Sequence, residues 1–171
     1  MGLKPLLAFA RDSRGAAAAE MALVTPLLLG LMLSAFELGK YFMDEHVVAK
    51  AVRDSARYAA RRSFSDFVDG GGNCAVDNDV QTKARNIART GQIADGGTAR
   101  LGYWTDPATI AVSVACDTSG SYTGIYTGNA AGAPVVTVSA SVPYMPLLGS
   151  IGLDTGGMVL NAQSQAAVTG I

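Results

Sequence analysis

The sequence predicts an α+β fold: a long N-terminal helix packed against a small antiparallel β-sheet of three to four strands, with a short second helix. Three observations carry this. From Met21 to Phe36 no residue is charged, and helix-forming sequence continues through Glu37 to Arg62, with no proline between Pro26 and Pro107. The stretch between Asp77 and Gly91 places Val80, Ala84, Ile87 and Ala88 on one helical face. Beyond Gly97 the apolar period changes from helical to two, as in half-buried strands.

Residues 1–15 read as a leader and are set aside from the fold. Lys4, Arg11 and Arg14 against the single acid Asp12 keep this end on the cytoplasmic side. Residues 16–36 form a span of 21, interrupted only by Glu20. At 1.5 Å per residue that is roughly 31 Å, enough to cross a hydrocarbon core of about 30 Å. Residues 37–171 then lie beyond the membrane and leave room for one domain of ordinary size.

Pro26 removes one backbone donor and loosens the helix locally, which lipid tolerates. Gly30 and Ser34 give a small-xxx-small spacing that lets another helix approach. Leu38, Phe42, Val48, Val52, Ala56 and Ala59 are expected on the buried face of the continuing helix. Lys40, Asp44, Lys50, Arg53, Asp54, Arg57 and Arg61 are expected on the others. One unbroken helix fits this pattern, and a membrane helix followed by a separate amphipathic one remains open.

Phe64 to Asp79, with Gly70 to Gly72 and Asp66, Asp69, Asp77 and Asp79, reads as a loop. Asp77-x-Asp79 begins like a calcium loop, but Thr82 stands where glycine is needed and Ala88 where the bidentate glutamate is needed, so no metal is expected. Asp77 or Asn78 then caps the second helix and Gly91 ends it. Strands are expected over Ala99–Trp104, with Ala99, Leu101 and Tyr103 alternating against Arg100, Gly102 and Trp104. Further strands are expected at Ile110–Cys116, at Val136–Val142 and at Met158–Val168, the last with Asn161, Gln163 and Gln165 outward. Tyr122, Tyr126 and Tyr144, in the long connections, either form a contact surface or fold back onto their own domain.

Glu20 is the unusual residue, since a carboxylate within an apolar span costs about 2.5–3.5 kcal/mol unless it is paired. A positive partner arises if a peptidase cuts between Gly15 and Ala16, because the new α-amine of one subunit can neutralise Glu20 of a neighbour. Gly15, four small residues and Glu20, followed by Leu27 to Leu29, then Phe36-Glu37-Leu38-Gly39-Lys40 and Ala49 to Ala60, resemble the TadE-like minor pilin (pseudopilin) family of Tad (Flp, type IVc) pilus systems. The resemblance covers roughly the first 62 residues. Met21 follows Glu20 where Tad major pilins usually carry tyrosine, a departure that fits a minor pilin.

The resemblance implies a non-enzymatic subunit that a prepilin peptidase processes. It would start in the bacterial inner membrane with a periplasmic domain and end in the pilus or at the cell surface. The implied partners are other pilin and minor pilin subunits, the peptidase, the inner-membrane assembly machinery and, before assembly, the lipid bilayer. A role in initiating, capping or assembling the filament, and hence in adhesion, follows from the same likeness. Two other readings of the apolar run stay open. One is a plain signal anchor on a single-pass inner-membrane protein whose periplasmic domain binds a ligand or partner. The other is a cleaved secretory signal, for which the nearest small-x-small site, Ala49-Lys50-Ala51, lies too far past Phe36.

Other residue classes narrow the function further. Cys74 and Cys116 fall on the oxidising side and either form a disulfide around a loop of about 40 residues or remain isolated buried thiols. His46 is the sole histidine and sits on a charged part of the long helix, so neither a zinc site nor a catalytic base is expected, and no cofactor. Gly70 to Gly72 lacks the Lys-Ser/Thr of a phosphate loop. A net charge of −1 gives no electrostatic case for nucleic acid.

Overall fold

The computed structural model describes residues 13–129, 132–152 and 157–170. Leader residues Lys4 and Arg11 lie outside the described residues, as does the Arg14 side chain. The chain divides into two compact units, one ending at Lys40 and the other spanning Tyr41–Ile171.

Helix α1 runs unbroken over Ser13–Ala60, with Pro26 inside it. At Pro26 the helix lacks one N–H donor and must accommodate the ring against the carbonyl of the preceding turn, yet it continues. Within the second unit the core-facing stripe of α1 is Val48, Ala51, Val52, Ser55, Ala56 and Ala59, all at most 1% exposed. Leu38 and Phe42 are exposed, contrary to the expectation from period alone. The six residues from Phe42 to Val48 turn the helix by about 240°, so the two side chains cannot share a face.

Helix α2, Asn78–Thr90, begins where the Asp77 carboxylate accepts the Asp79 N–H at 2.7 Å. It ends at Gly91, whose left-handed φ of +78° lets its N–H return to the Ile87 carbonyl. Val80, Ala84, Ile87 and Ala88 are buried as the period requires. Small residues on both helices permit a close approach, and the buried Ser55 hydroxyl donates to the Ala84 carbonyl at 2.7 Å.

Three strands, β1 (Ile110–Asp117), β2 (Ala133–Pro143) and β3 (Val159–Ala167), form one antiparallel sheet in the order β1-β2-β3. The register sets Val112 opposite Val138 and Val138 opposite Ser164. Val136, Val138, Ala140, Val142 and Leu160 are buried on the inner face. The outer face presents Ala111, Ser113, Ser141, Asn161, Gln163 and Gln165, with Asp117 its charged residue at the end of β1. One core cluster joins Val48, Val52, Trp104, Ile110, Val138, Val142 and Leu160, and a second joins Ala59, Phe67, Val80, Val136 and Val168.

The strand expected over Ala99–Trp104 does not form. The segment turns, with the Trp104 N–H donating to the Leu101 carbonyl at 2.8 Å and the Arg100 N–H to the Arg89 carbonyl at 2.8 Å. Leu101 and Trp104 are both buried, so the apparent alternation does not separate two faces. The Trp104 indole is satisfied by the Thr109 hydroxyl at 2.8 Å, which makes full burial affordable. The 64–79 loop likewise contains a 3-10 turn, Phe64–Phe67, that drives Phe67 into the second cluster.

Tyr144 packs edge-on against Tyr41 at 5.3 Å and Tyr126 against Phe64 at 5.8 Å, so both fold back onto their own domain. The Tyr103 hydroxyl donates to the Asp44 carboxylate at 2.7 Å and ties this turn to α1. Burial, and then the Asp44 hydrogen bond, hold the Tyr103 phenol above its ordinary pKa of 10.0. The folded pKa is raised, so the contribution is complete below pH 10 and is lost as pH climbs beyond it. Tyr103→Phe is expected to cost about 1.5–3 kcal/mol of domain stability in a denaturant titration at pH 7, and the gap between variant and parent closes above pH 10.

Candidate functional site

The candidate site is the first half of α1. From Gly15 to Met32 every residue is exposed, including Leu23, at 79%, and Leu27, at 65%. Such a surface in water would cost roughly 25 cal/mol for each Å² of apolar area, so it calls for lipid or protein around it. The helix is long and apolar enough to cross a membrane. Exposed apolar side chains continue past Phe36 to Leu38, Phe42 and Met43.

Gly15 and Ala16 lie in the opening turns of α1 and are solvent-accessible. Ala16 and Glu20 are four apart and so share one face. The Glu20 carboxylate is exposed and makes no hydrogen bond or ion pair with any described side chain. Farther along, the Ser34 hydroxyl donates to the Gly30 carbonyl at 2.8 Å, which satisfies it within its own helix and leaves the surface there shallow. A methyl added at Gly30 would meet nothing within 4 Å.

Elsewhere the sequence-named residues serve structure. Cys74 and Cys116 are joined in a disulfide with Cα atoms 6.0 Å apart, fastening the glycine loop to the end of β1. The Asp69 carboxylate organises that loop, accepting from the Asn73 N–H at 2.8 Å, the Gly71 N–H at 2.9 Å and the Asn73 amide at 3.0 Å. The Asn73 side-chain hydrogen bond, with the two backbone donors behind it, holds Asp69 below the usual carboxylate range. Asp66 pairs with Arg62 at 3.0 Å, and Asp79 with Lys83 at 2.7 Å. The acids of this loop thus serve in a cap, in ion pairs and, at Asp69, in hydrogen bonds within the loop. Among the described residues no group of three His, Cys, Asp or Glu could hold a metal ion. His46 is exposed on α1. A shallow hollow on the outer sheet face, bounded by Thr109, Ser139, Asn161 and Gln163, offers hydroxyls and amides and no titratable group.

Residues 15–57 match the model of the TadE-like protein family. The N-terminal segment of the chain is TadE-like. The likeness of this segment points to the Tad pilus, and its apolar helix to a membrane. The match ends at residue 57, before α2 and the sheet. No curated protein and no solved structure matches the chain.

Removing the disulfide tests how far the domain behind the TadE-like segment depends on it. Cys74→Ser with Cys116→Ser is expected to lower domain stability by roughly 2–4 kcal/mol, read as a shifted urea midpoint, because the open chain regains the entropy of the closed loop. An unchanged midpoint would show that the loop is held by the Asp69 network alone.

Proposed function

We propose that this protein is a minor pilin of a Tad-type pilus, cut by a prepilin peptidase after Gly15 so that Ala16 becomes its N-terminus. Glu20 carries the reading: it is a lone carboxylate, without a described partner, on an otherwise exposed apolar helix. In lipid it is poorly satisfied. In a bundle of sister subunits it meets a neighbour's new α-ammonium, which itself sits unfavourably at the positive end of the helix dipole until a carboxylate approaches.

The driving force is differential neutralisation. Extraction from the bilayer costs the helix its lipid contacts, which sister helices replace, and assembly pairs a charge that the bilayer leaves bare. The pairing also sets register, because amine and carboxylate meet only when neighbouring helices are staggered by the interval between Ala16 and Glu20. Before assembly the N-terminus lies in the cytoplasm and residues beyond 37 in the periplasm, and afterwards the domain stands in the pilus or at the cell surface. In that place the protein initiates, caps or helps to assemble the filament with other pilin and minor pilin subunits and the inner-membrane machinery.

The test separates cutting from assembly. Glu20→Ala and Glu20→Gln are expected to be cut at the wild-type rate and to fall at least tenfold in sheared surface filaments. Normal incorporation of either variant would overturn the reading. It would favour a single-pass membrane protein whose periplasmic domain binds a ligand or partner and never enters a filament.

A further inference from the structure

The exposed side of α1 within the second unit carries His46, Lys50, Arg53 and Arg57, with Arg61 directly after the helix. Their spacings of four, three, four and four keep all five within about 100° of arc, on the side away from Val48, Val52 and Ala59. Of the acids of this stretch, Asp54 is engaged with Arg100 at 3.2 Å and Asp44 with the Tyr103 hydroxyl, while Glu45 stands about 80° round the helix from Arg53 and farther from the other cations. None of Lys50, Arg53, Arg57 or Arg61 makes a side-chain hydrogen bond or ion pair with any described residue.

This is an expensive arrangement for a lone domain. Arg53 with Arg57, and Arg57 with Arg61, are like-charge neighbours four apart, which destabilises a helix. The helix dipole accounts for cations in the last turn at Arg57 and Arg61, but not for Lys50 and Arg53, which lie farther back. The stripe begins beside Phe42 and Met43, exposed at 49% and 71%. An apolar start followed by a row of free cations is a docking face.

We propose that this face binds the acidic side of a helix or strand in a different protein subunit, with carboxylates at matching intervals opposite Lys50, Arg53, Arg57 and Arg61. Two copies of this chain set side by side in parallel would oppose cation to cation, so the stripe rejects self-pairing and selects a heterologous neighbour. Phospholipid headgroups fit less well. The row runs along the helix axis for about 17 Å, so a helix that crosses the membrane brings only its first members to the surface. The inference does not depend on cleavage at Gly15 or on pairing at Glu20.

A photoreactive residue at His46, in the full chain within its own cell envelope, tests it. The expected adduct joins a different protein through a peptide bearing at least two Asp or Glu residues. Its yield falls about tenfold in Arg53→Glu with Arg57→Glu, and about threefold in the milder Arg53→Gln with Arg57→Gln. Changing the carboxylates of the crosslinked peptide to lysine restores the yield with the Glu pair. Formation of the Cys74–Cys116 disulfide in every variant reports that the domain is folded. Adducts only with a second copy, only with phospholipid, or with no macromolecule would overturn the proposal. So would a protein adduct whose yield ignores the two arginines.

Discussion

The apolar surface on the first half of α1, left uncovered by every described residue, is the constraint on which the account depends. Its cost in water scales with area, so it calls for lipid or other helices around it. In the proposed reading, Glu20 decides between those two environments. A purely apolar helix would rest in the bilayer, whereas one bearing an unpaired carboxylate gains by moving to where a cation waits. The family match over residues 15–57 falls on this helix and on its entry into the domain.

The domain itself is built from modest means. Its core leans on Ala51, Ala56, Ala59, Ala84 and Ala88, whose small side chains bring the helices close but bury little area each. Larger anchors are few, chiefly Trp104, Phe67 and Ile110. The domain makes up the difference with a disulfide, a carboxylate-organised glycine loop, and the Thr169 N–H that returns to the Ala60 carbonyl at 2.8 Å to hold the end of the chain against α1. These ties hold α1 from Val48 onward while leaving its cationic side free.

Much of this was legible in the sequence where one principle acted alone. The absence of charge from Met21 to Phe36 announced the helix, Asp77 or Asn78 and Gly91 bracketed α2, and alternation marked all three strands that form, most weakly the last. Legibility failed where tertiary packing overrode local pattern. Ala99–Trp104 alternates like a strand, yet Leu101 and Trp104 are drawn inward together by a turn that backbone bonds to Arg89 and Leu101 stabilise. Phe67 looked like loop because a single aromatic among Ser, Asp and Gly has no period to betray it. In the candidate site, the Gly15 to Glu20 motif was readable at once. The cationic stripe was not, because Asp44, Glu45 and Asp54 are interleaved with it in sequence, and only the structure shows Asp44 and Asp54 engaged with Tyr103 and Arg100.

The central claim is that this chain is a peptidase-processed subunit. The most direct measurement is its N-terminal sequence and intact mass, taken from membranes and from sheared filaments, with and without the prepilin peptidase. The account predicts a start at Ala16 in both fractions when the peptidase is present, and a start at Met1 confined to the membrane when it is absent. A chain still beginning at Met1 in cells that possess the peptidase would contradict it.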